Sequence, residues 1–316
     1  MPSPEIVVLR QKIHGLTAED YADALRARLP ETDIQVARTP NEERELLTTV
    51  PIATGYEIDE QLIETTENLT LFAGVYAGTG HLALDTFEEH DIAVTNASGV
   101  HGANIAEYVI GAILSQVRGF KQAWRQQDRR VWQSFPAREL KDSTVTVVGL
   151  GAIGQSIVER LEPFGVDTIG VRYTPQKGGP TDEVYGFDEI HDVLARTEHL
   201  VLACPLTDET RGLIDSDALL TIRADAHIVN IARGPVIDTD DLVTALQANR
   251  VAGATLDVTD PEPLPNDHPL WDFDTVSITP HNAGHTPVYY ERTADILAAN
   301  VERYRAGDTD FENRVV

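Results

Sequence analysis

At 316 residues the chain has room for two domains of ordinary size, and no run of about 18 apolar residues or basic-then-apolar leader marks a membrane span or secretory signal, so a cytoplasmic protein is expected. Its 25 basic and 51 acidic residues leave a formal charge of −26, which disfavours nucleic acid as a partner; the acids are spread through foldable segments, so a disordered acidic tail does not account for them. A surface built for molar salt does, because a Debye length of about 3 Å screens carboxylates from one another, and only Lys12, Lys121, Lys141 and Lys177 among the cations are lysines.

Ile6 to Arg10 reads as a strand, Ala18 to Leu29 as an amphipathic helix and Ile34 to Ala37 as a strand, an α/β start without a glycine-rich nucleotide turn. Leu69 to Ala73 is a further apolar strand that runs into Gly74-Val75-Tyr76-Ala77-Gly78-Thr79-Gly80-His81. Such a loop exposes backbone N–H groups suited to a small carboxylate, and it serves equally as a plain turn between strand and helix. Ile92 to Thr95 is the next strand. From Ala103 to about Gln127 one long helix is predicted, apolar on most sides in its first half, hence buried in a core or between domains or subunits.

Val145 to Val148 is a β-branched run that enters Gly149-Leu150-Gly151-Ala152-Ile153-Gly154, a G-x-G-x-x-G turn opening a predicted helix from Gln155 to Glu162. With a second strand at Val166 to Val171, this is the complete unit that holds a dinucleotide pyrophosphate. Gly149 permits the tight turn, Gly151 admits the phosphates to the backbone, and Gly154 lets the helix pack on the strand, while the first-turn N–H groups, Ala152 and Ile153 included, face the anion. The same glycines without a ligand would form an ordinary strand-to-helix turn.

Strands follow at His199 to Ala203, Ala226 to Ile231, Gly253 to Val258 and Val276 to Thr279, and a last helix at about Pro287 to Tyr304. Alternating strands and helices argue for a doubly wound parallel sheet. Cys204, the one cysteine, sits in the apolar run Leu200 to Pro205 and is read as a buried inert thiol. Three polar groups come just after predicted strands: Arg233 in Asn230-Ile231-Ala232-Arg233-Gly234, Glu262 after Asp257-Val258, and His281 in Thr279-Pro280-His281. The C-terminal ends of parallel strands form the ligand crevice, so these three can share a site. No His/Cys/Asp cluster has metal-ligand spacing, and no metal is expected.

This ordered set of motifs resembles the D-isomer-specific 2-hydroxyacid dehydrogenases over nearly the whole chain. The match includes Gly78-Thr79-Gly80, Ala106-Glu107, the G-x-G-x-x-G, Pro205-Leu206-Thr207-Asp208-Glu209-Thr210, Asn230 to Gly234, Asp257-Val258, Glu262-Pro263-Leu264 and Thr279-Pro280-His281. The resemblance implies a catalytic set of Arg233, Glu262 and His281, with the substrate also touching Tyr76, Gly78, Thr79 and Gly80. It adds Pro205, Thr210, Ala232 and Asp257 to the cofactor contacts, Asp257 holding the nicotinamide carboxamide. It implies two doubly wound domains, a Rossmann coenzyme domain at 98–286 inserted into a discontinuous flavodoxin-like substrate domain at 1–97 and 287–316. It also implies that the long helix helps form a homodimer.

In that reading Arg233, a planar fork, binds the carboxylate and ketone oxygens of a 2-keto acid, helped by the N–H groups of Thr79 and Gly80. His281 gives the proton as hydride arrives, and Glu262 orients the imidazole and favours its charged form. At the end of the second nucleotide-domain strand, where NAD-type proteins carry an acid for the ribose 2′-OH, stand Arg172, Tyr173 and Thr174. A cation and two hydroxyls suit a 2′-phosphate, so NADP(H) is expected over NAD(H), which stays possible if Arg172 points to solvent. A D-2-hydroxyacid dehydrogenase is the main expectation. Reduction of glyoxylate or hydroxypyruvate, a phosphoglycerate dehydrogenase-like activity, and a nucleotide-sensing corepressor-like protein are the alternatives.

Overall fold

The computed structural model describes residues 5–316. Two compact units divide the chain, Met1–Val100 with His285–Val316, and His101–Gly284. These limits fall a few residues from those expected at 97 and 287.

The first unit is built on a five-stranded parallel sheet in the order Ile34–Val36, Ile6–Val8, Ile52–Gly55, Leu71–Gly74, Ala93–Thr95. Numbered along the chain this is 2-1-3-4-5, the flavodoxin-like order. The strands Ile6–Val8, Ile52–Gly55 and Leu71–Gly74 are buried along their whole length, as both faces of a parallel sheet require. On one face the helix Ala18–Arg28, capped by Thr17 and Asp20 in a reciprocal box, sets Tyr21, Ala22 and Leu25 in the same core cluster as Tyr289, Ala294, Leu297 and Val301 of the C-terminal helix Tyr289–Arg305. Beyond that helix the chain returns to the sheet edge, where Val315 N donates to Val94 O at 2.7 Å.

The second unit holds a seven-stranded parallel sheet in the order Glu183–Tyr185, Asp167–Val171, Thr144–Val148, His199–Leu202, His227–Asn230, Gly253–Leu256, Val276–Ile278. That is 3-2-1-4-5-6 with a seventh strand added, the doubly wound dinucleotide fold. The single long helix expected from Ala103 to Gln127 is instead two, Gly102–Val117 and Phe120–Asp128. Gly119 breaks it. It takes φ +65°, and Phe135 packs so close that a Cβ there would lie 2.7 Å from the ring.

Candidate active site

Gly149 has φ +101°, and a Cβ on it would stand 2.6 Å from Cys204 N. A Cβ on Gly154 would be 1.9 Å from Gly149 O, so the helix Ala152–Leu161 starts flush against the turn only because both residues are glycine. At Gly151 the space is open. The result is a backbone cradle at a helix N-terminus with room for an anion.

The cradle opens into a cavity of about 470 Å³ lined by Gly149, Gly151, Arg172, Tyr173, Thr174, Pro205 and Thr210. Seven of the expected cofactor residues therefore share one wall system. Lys177 also lines it, as does one acid, Glu209. Lys177 closes the short helix Pro175–Lys177, placed there by the Thr174-Pro175 turn after Arg172; its sequence signal was a lone lysine in a lysine-poor chain. Arg172 Nη1 donates to Gly178 O at 2.5 Å, which ties the guanidinium to this loop and leaves its other N–H donors available. Thr210 shapes the far wall, its hydroxyl donating to Pro205 O (2.6 Å) and accepting from Thr207 N (2.8 Å). Cys204 is buried, and burial pushes its thiol up to about 11. A dinucleotide fits this donor set: cradle, cations and hydroxyls line one cavity.

The catalytic candidates sit at neighbouring strand ends. The strands His227–Asn230, Gly253–Leu256 and Val276–Ile278 are parallel, and Asn230, Leu256 and Ile278 stand in register at their C-terminal ends. Arg233, Glu262 and His281 issue from these three ends. Asn230 builds the first turn, its Oδ1 accepting from Ala232 N (3.0 Å) and its Nδ2 donating to Arg233 O (3.1 Å). Ala232 is buried in that turn. A Cβ on Gly234 would lie 2.0 Å from Thr259 O, so the loops carrying Arg233 and Glu262 touch. Arg233 is exposed, and among the described residues its guanidinium makes one hydrogen bond, from Nη1 to Ala232 O at 2.6 Å.

His281 Nδ1 donates to Glu262 Oε1 at 2.8 Å, both side chains being about half exposed. The carboxylate accepts the hydrogen bond from Nδ1–H and so fixes the ring and its tautomer, which leaves Nε2 as the nitrogen able to exchange a proton. His281 itself has φ +51°, with its N–H shared between Asp257 O (2.8 Å) and Thr279 O (3.0 Å). Asp257 is buried beneath it. Its Oδ1 accepts from Thr279 Oγ1 (2.5 Å) and Asn282 N (2.8 Å), and its Oδ2 from Ala283 N (2.9 Å), which leaves one acceptor position on Oδ2.

The remaining substrate candidates belong to the first unit. Tyr76 O accepts from Ala97 N (3.0 Å), and Asn96 Nδ2 donates to Ala77 O (2.8 Å), pinning the loop base. Gly78 and Gly80 have open space where a side chain would be, and Thr79 O accepts from Leu82 N (2.9 Å).

Residues 110–283 match the family model for the D-isomer specific 2-hydroxyacid dehydrogenase NAD binding domain. The chain is 33% identical over 255 residues to a glyoxylate reductase of Thermofilum pendens, covering 78% of this chain and 74% of that one. It is 33% identical over 252 residues to the glyoxylate reductase/hydroxypyruvate reductase of Homo sapiens, covering 77% and 76%. Among solved structures, a D-isomer specific 2-hydroxyacid dehydrogenase from Xanthobacter autotrophicus Py2, in complex with NADPH and MES, superposes with a TM-score of 0.80 at 28% identity, covering 99% of this chain and 98% of that one. The chain belongs to the D-isomer-specific 2-hydroxyacid dehydrogenases, a family of NAD-binding oxidoreductases.

Proposed function

We propose that the protein is an NADPH-preferring D-2-hydroxyacid dehydrogenase that reduces small 2-keto acids reversibly. The observation that carries the reading is the His281–Glu262 pair at 2.8 Å, set at strand ends in register with the one that delivers Arg233. When bound, the dinucleotide supplies the hydride. Arg233 binds the carboxylate and polarises the C2 oxygen with its free donors. His281 gives the proton from Nε2 to that oxygen, while Glu262 accepts from Nδ1–H and holds the ring in that orientation. In the oxidative direction neutral Nε2 takes the proton back. Asp257 Oδ2 has the acceptor position left for a carboxamide N–H, and Gly151 with the first turn of Ala152–Leu161 receives the pyrophosphate.

The preference for NADPH is supported by Arg172, Tyr173, Thr174 and Lys177 lining the same cavity as the glycine turn, and by the NADPH in the Xanthobacter relative. The names of the reductase relatives support glyoxylate or hydroxypyruvate as candidate substrates. A homodimer is supported by the exposed Phe120, Trp124, Val131 and Trp132, a run of large apolar side chains that a monomer would leave in water. A salt-loaded cytoplasm is supported by the charge of −26. Assay of a panel of 2-keto acids with NADPH and with NADH tests the reading; no turnover of any 2-keto acid with either cofactor would refute it.

A further inference from the structure

Tyr108 is a half-buried side chain of the helix Gly102–Val117, and its hydroxyl lies 2.6 Å from Thr279 Oγ1. The direction of this bond follows from counting protons. Thr279 has one hydroxyl proton and directs it at Asp257 Oδ1, 2.5 Å away, so Tyr108 is the donor. Burial pushes the phenol up to about 12, which keeps it a donor over the working pH range. The same helix reaches the same turn again one helical turn earlier, where Asn104 Nδ2 donates to Ala283 O at 3.0 Å.

The turn these bonds hold carries His281 at φ +51°, a conformation that L-residues outside glycine adopt only when their surroundings over-determine it. Asp257 does part of that work by gathering Asn282 N, Ala283 N and Thr279 Oγ1 on one carboxylate. A carboxylate so loaded is fixed only as well as its donors are. Thr279 spends its one proton on that carboxylate, and Tyr108 supplies a second bond that holds the same oxygen from the other side.

We propose that Tyr108 is a positioning residue for the reaction: through Thr279 and Asp257 it locks the turn that aims the His281 imidazole. This rests on the reading of His281 as the proton donor. It assigns no contact between Tyr108 and substrate or cofactor.

The test is Tyr108→Phe, which keeps the ring and removes the donor. kcat for 2-keto acid reduction is expected to fall roughly 3- to 10-fold, the effect of one neutral hydrogen bond, with KM for the keto acid changed less than twofold. Amide hydrogen exchange at Asn282 and Ala283, measured without cofactor or substrate, should accelerate by a similar factor. Thr279→Ser keeps the relay and should stay near wild type, whereas Thr279→Val breaks it and Tyr108→Phe added to Thr279→Val should cost nothing more. Unchanged kcat and unchanged exchange in Tyr108→Phe would overturn the inference, as would additive losses in the double variant. A fall in thermal stability with exchange at Asn282 and Ala283 unchanged would also overturn it, since that is what a packing role alone produces. Should wild type reduce no 2-keto acid, the function reading fails, and the exchange rates still decide whether Tyr108 holds the turn.

Discussion

The second unit carries two buried histidines at the strand ends opposite the proposed site, and they make its stability fall in mild acid. His199 and His227 begin neighbouring parallel strands and pair in register, their ring centroids 6.4 Å apart. His227 Nε2 meets Thr255 Oγ1 at 3.1 Å, while Nδ1 of both rings is buried without a hydrogen-bond partner. Burial holds His199 down to about 4, with Arg138 adding to the depression and Asp225 opposing it. Burial, His199 and Arg138 hold His227 down to about 3. In the unfolded chain both titrate near 6.5, so as pH falls the unfolded state takes up protons first. Stability is complete above about 6.5 and is lost as pH drops toward the folded values. At pH 5 each ring has lost about 2 kcal/mol, about 4 kcal/mol for the pair, a large part of the margin of an ordinary domain. His227→Gln retains a polar partner for Thr255 and cannot titrate. Urea unfolding at pH 7 and pH 5, at one fixed salt concentration, should show the variant losing about 2 kcal/mol less than wild type. Subtracting the two proteins cancels the carboxylates, which are the same in both. Equal losses in wild type and variant would refute the reasoning.

For the proposed chemistry, His281→Ala should lower kcat by about 10²- to 10⁴-fold while NADPH binding survives, and near-wild-type turnover would remove His281 from its role. Arg172→Asp should reverse cofactor preference: the 2′-phosphate would forfeit charge-assisted bonds of roughly 1.5 to 3 kcal/mol, about one to two decades in kcat/KM, and a variant that still prefers NADPH would leave Lys177 as the main recognition group. Unfolding followed by circular dichroism should show its midpoint rising steeply from dilute to molar salt, and a protein equally stable in both would contradict the reading of its charge.

What was legible in the sequence was whatever local pattern alone decides. Thr144–Val148 is long enough and β-branched enough to announce a buried parallel strand, and His199–Leu202 and Gly253–Leu256 belong to longer runs that continue to Ala203 and Val258. Ile52–Gly55 is the central strand of the first sheet, yet it passed unread. Pro51 before it and Gly55 at its end cut the apolar signal to Ile52-Ala53, and what makes it a strand is pairing on both sides, with Ile6–Val8 and Leu71–Gly74. The break at Gly119 was hidden for a related reason, because one glycine is tolerated in a helix and only Phe135, distant in sequence, fills the space beside it. At the candidate site, the types and order of Arg233, Glu262 and His281 were visible as strand-end residues. The left-handed backbone of His281 and the three donors on Asp257 were not. They arise where segments more than twenty residues apart meet, and no spacing rule encodes them.

The charge of the chain and the charge of the ligand it is proposed to hold bear on one another. A chain of −26 repels a dinucleotide at long range in dilute buffer, where the Debye length is about 10 Å at 0.1 M, and in molar salt that length shrinks to about 3 Å. What then decides binding is whatever lies within contact distance. The groups the cavity sets at that range are backbone N–H groups at the start of Ala152–Leu161, the free donors of Arg172, the ammonium of Lys177 and the hydroxyls of Tyr173 and Thr174. Lysine is scarce in this chain, and its ammonium acts as a point charge that salt screens; the bidentate, directional bonds of arginine keep more of their strength when water and ions are excluded from the contact. On the proposed reading Arg172 therefore ranks above Lys177 as the source of discrimination, and an acidic surface is compatible with an anionic cofactor because the two act over different distances.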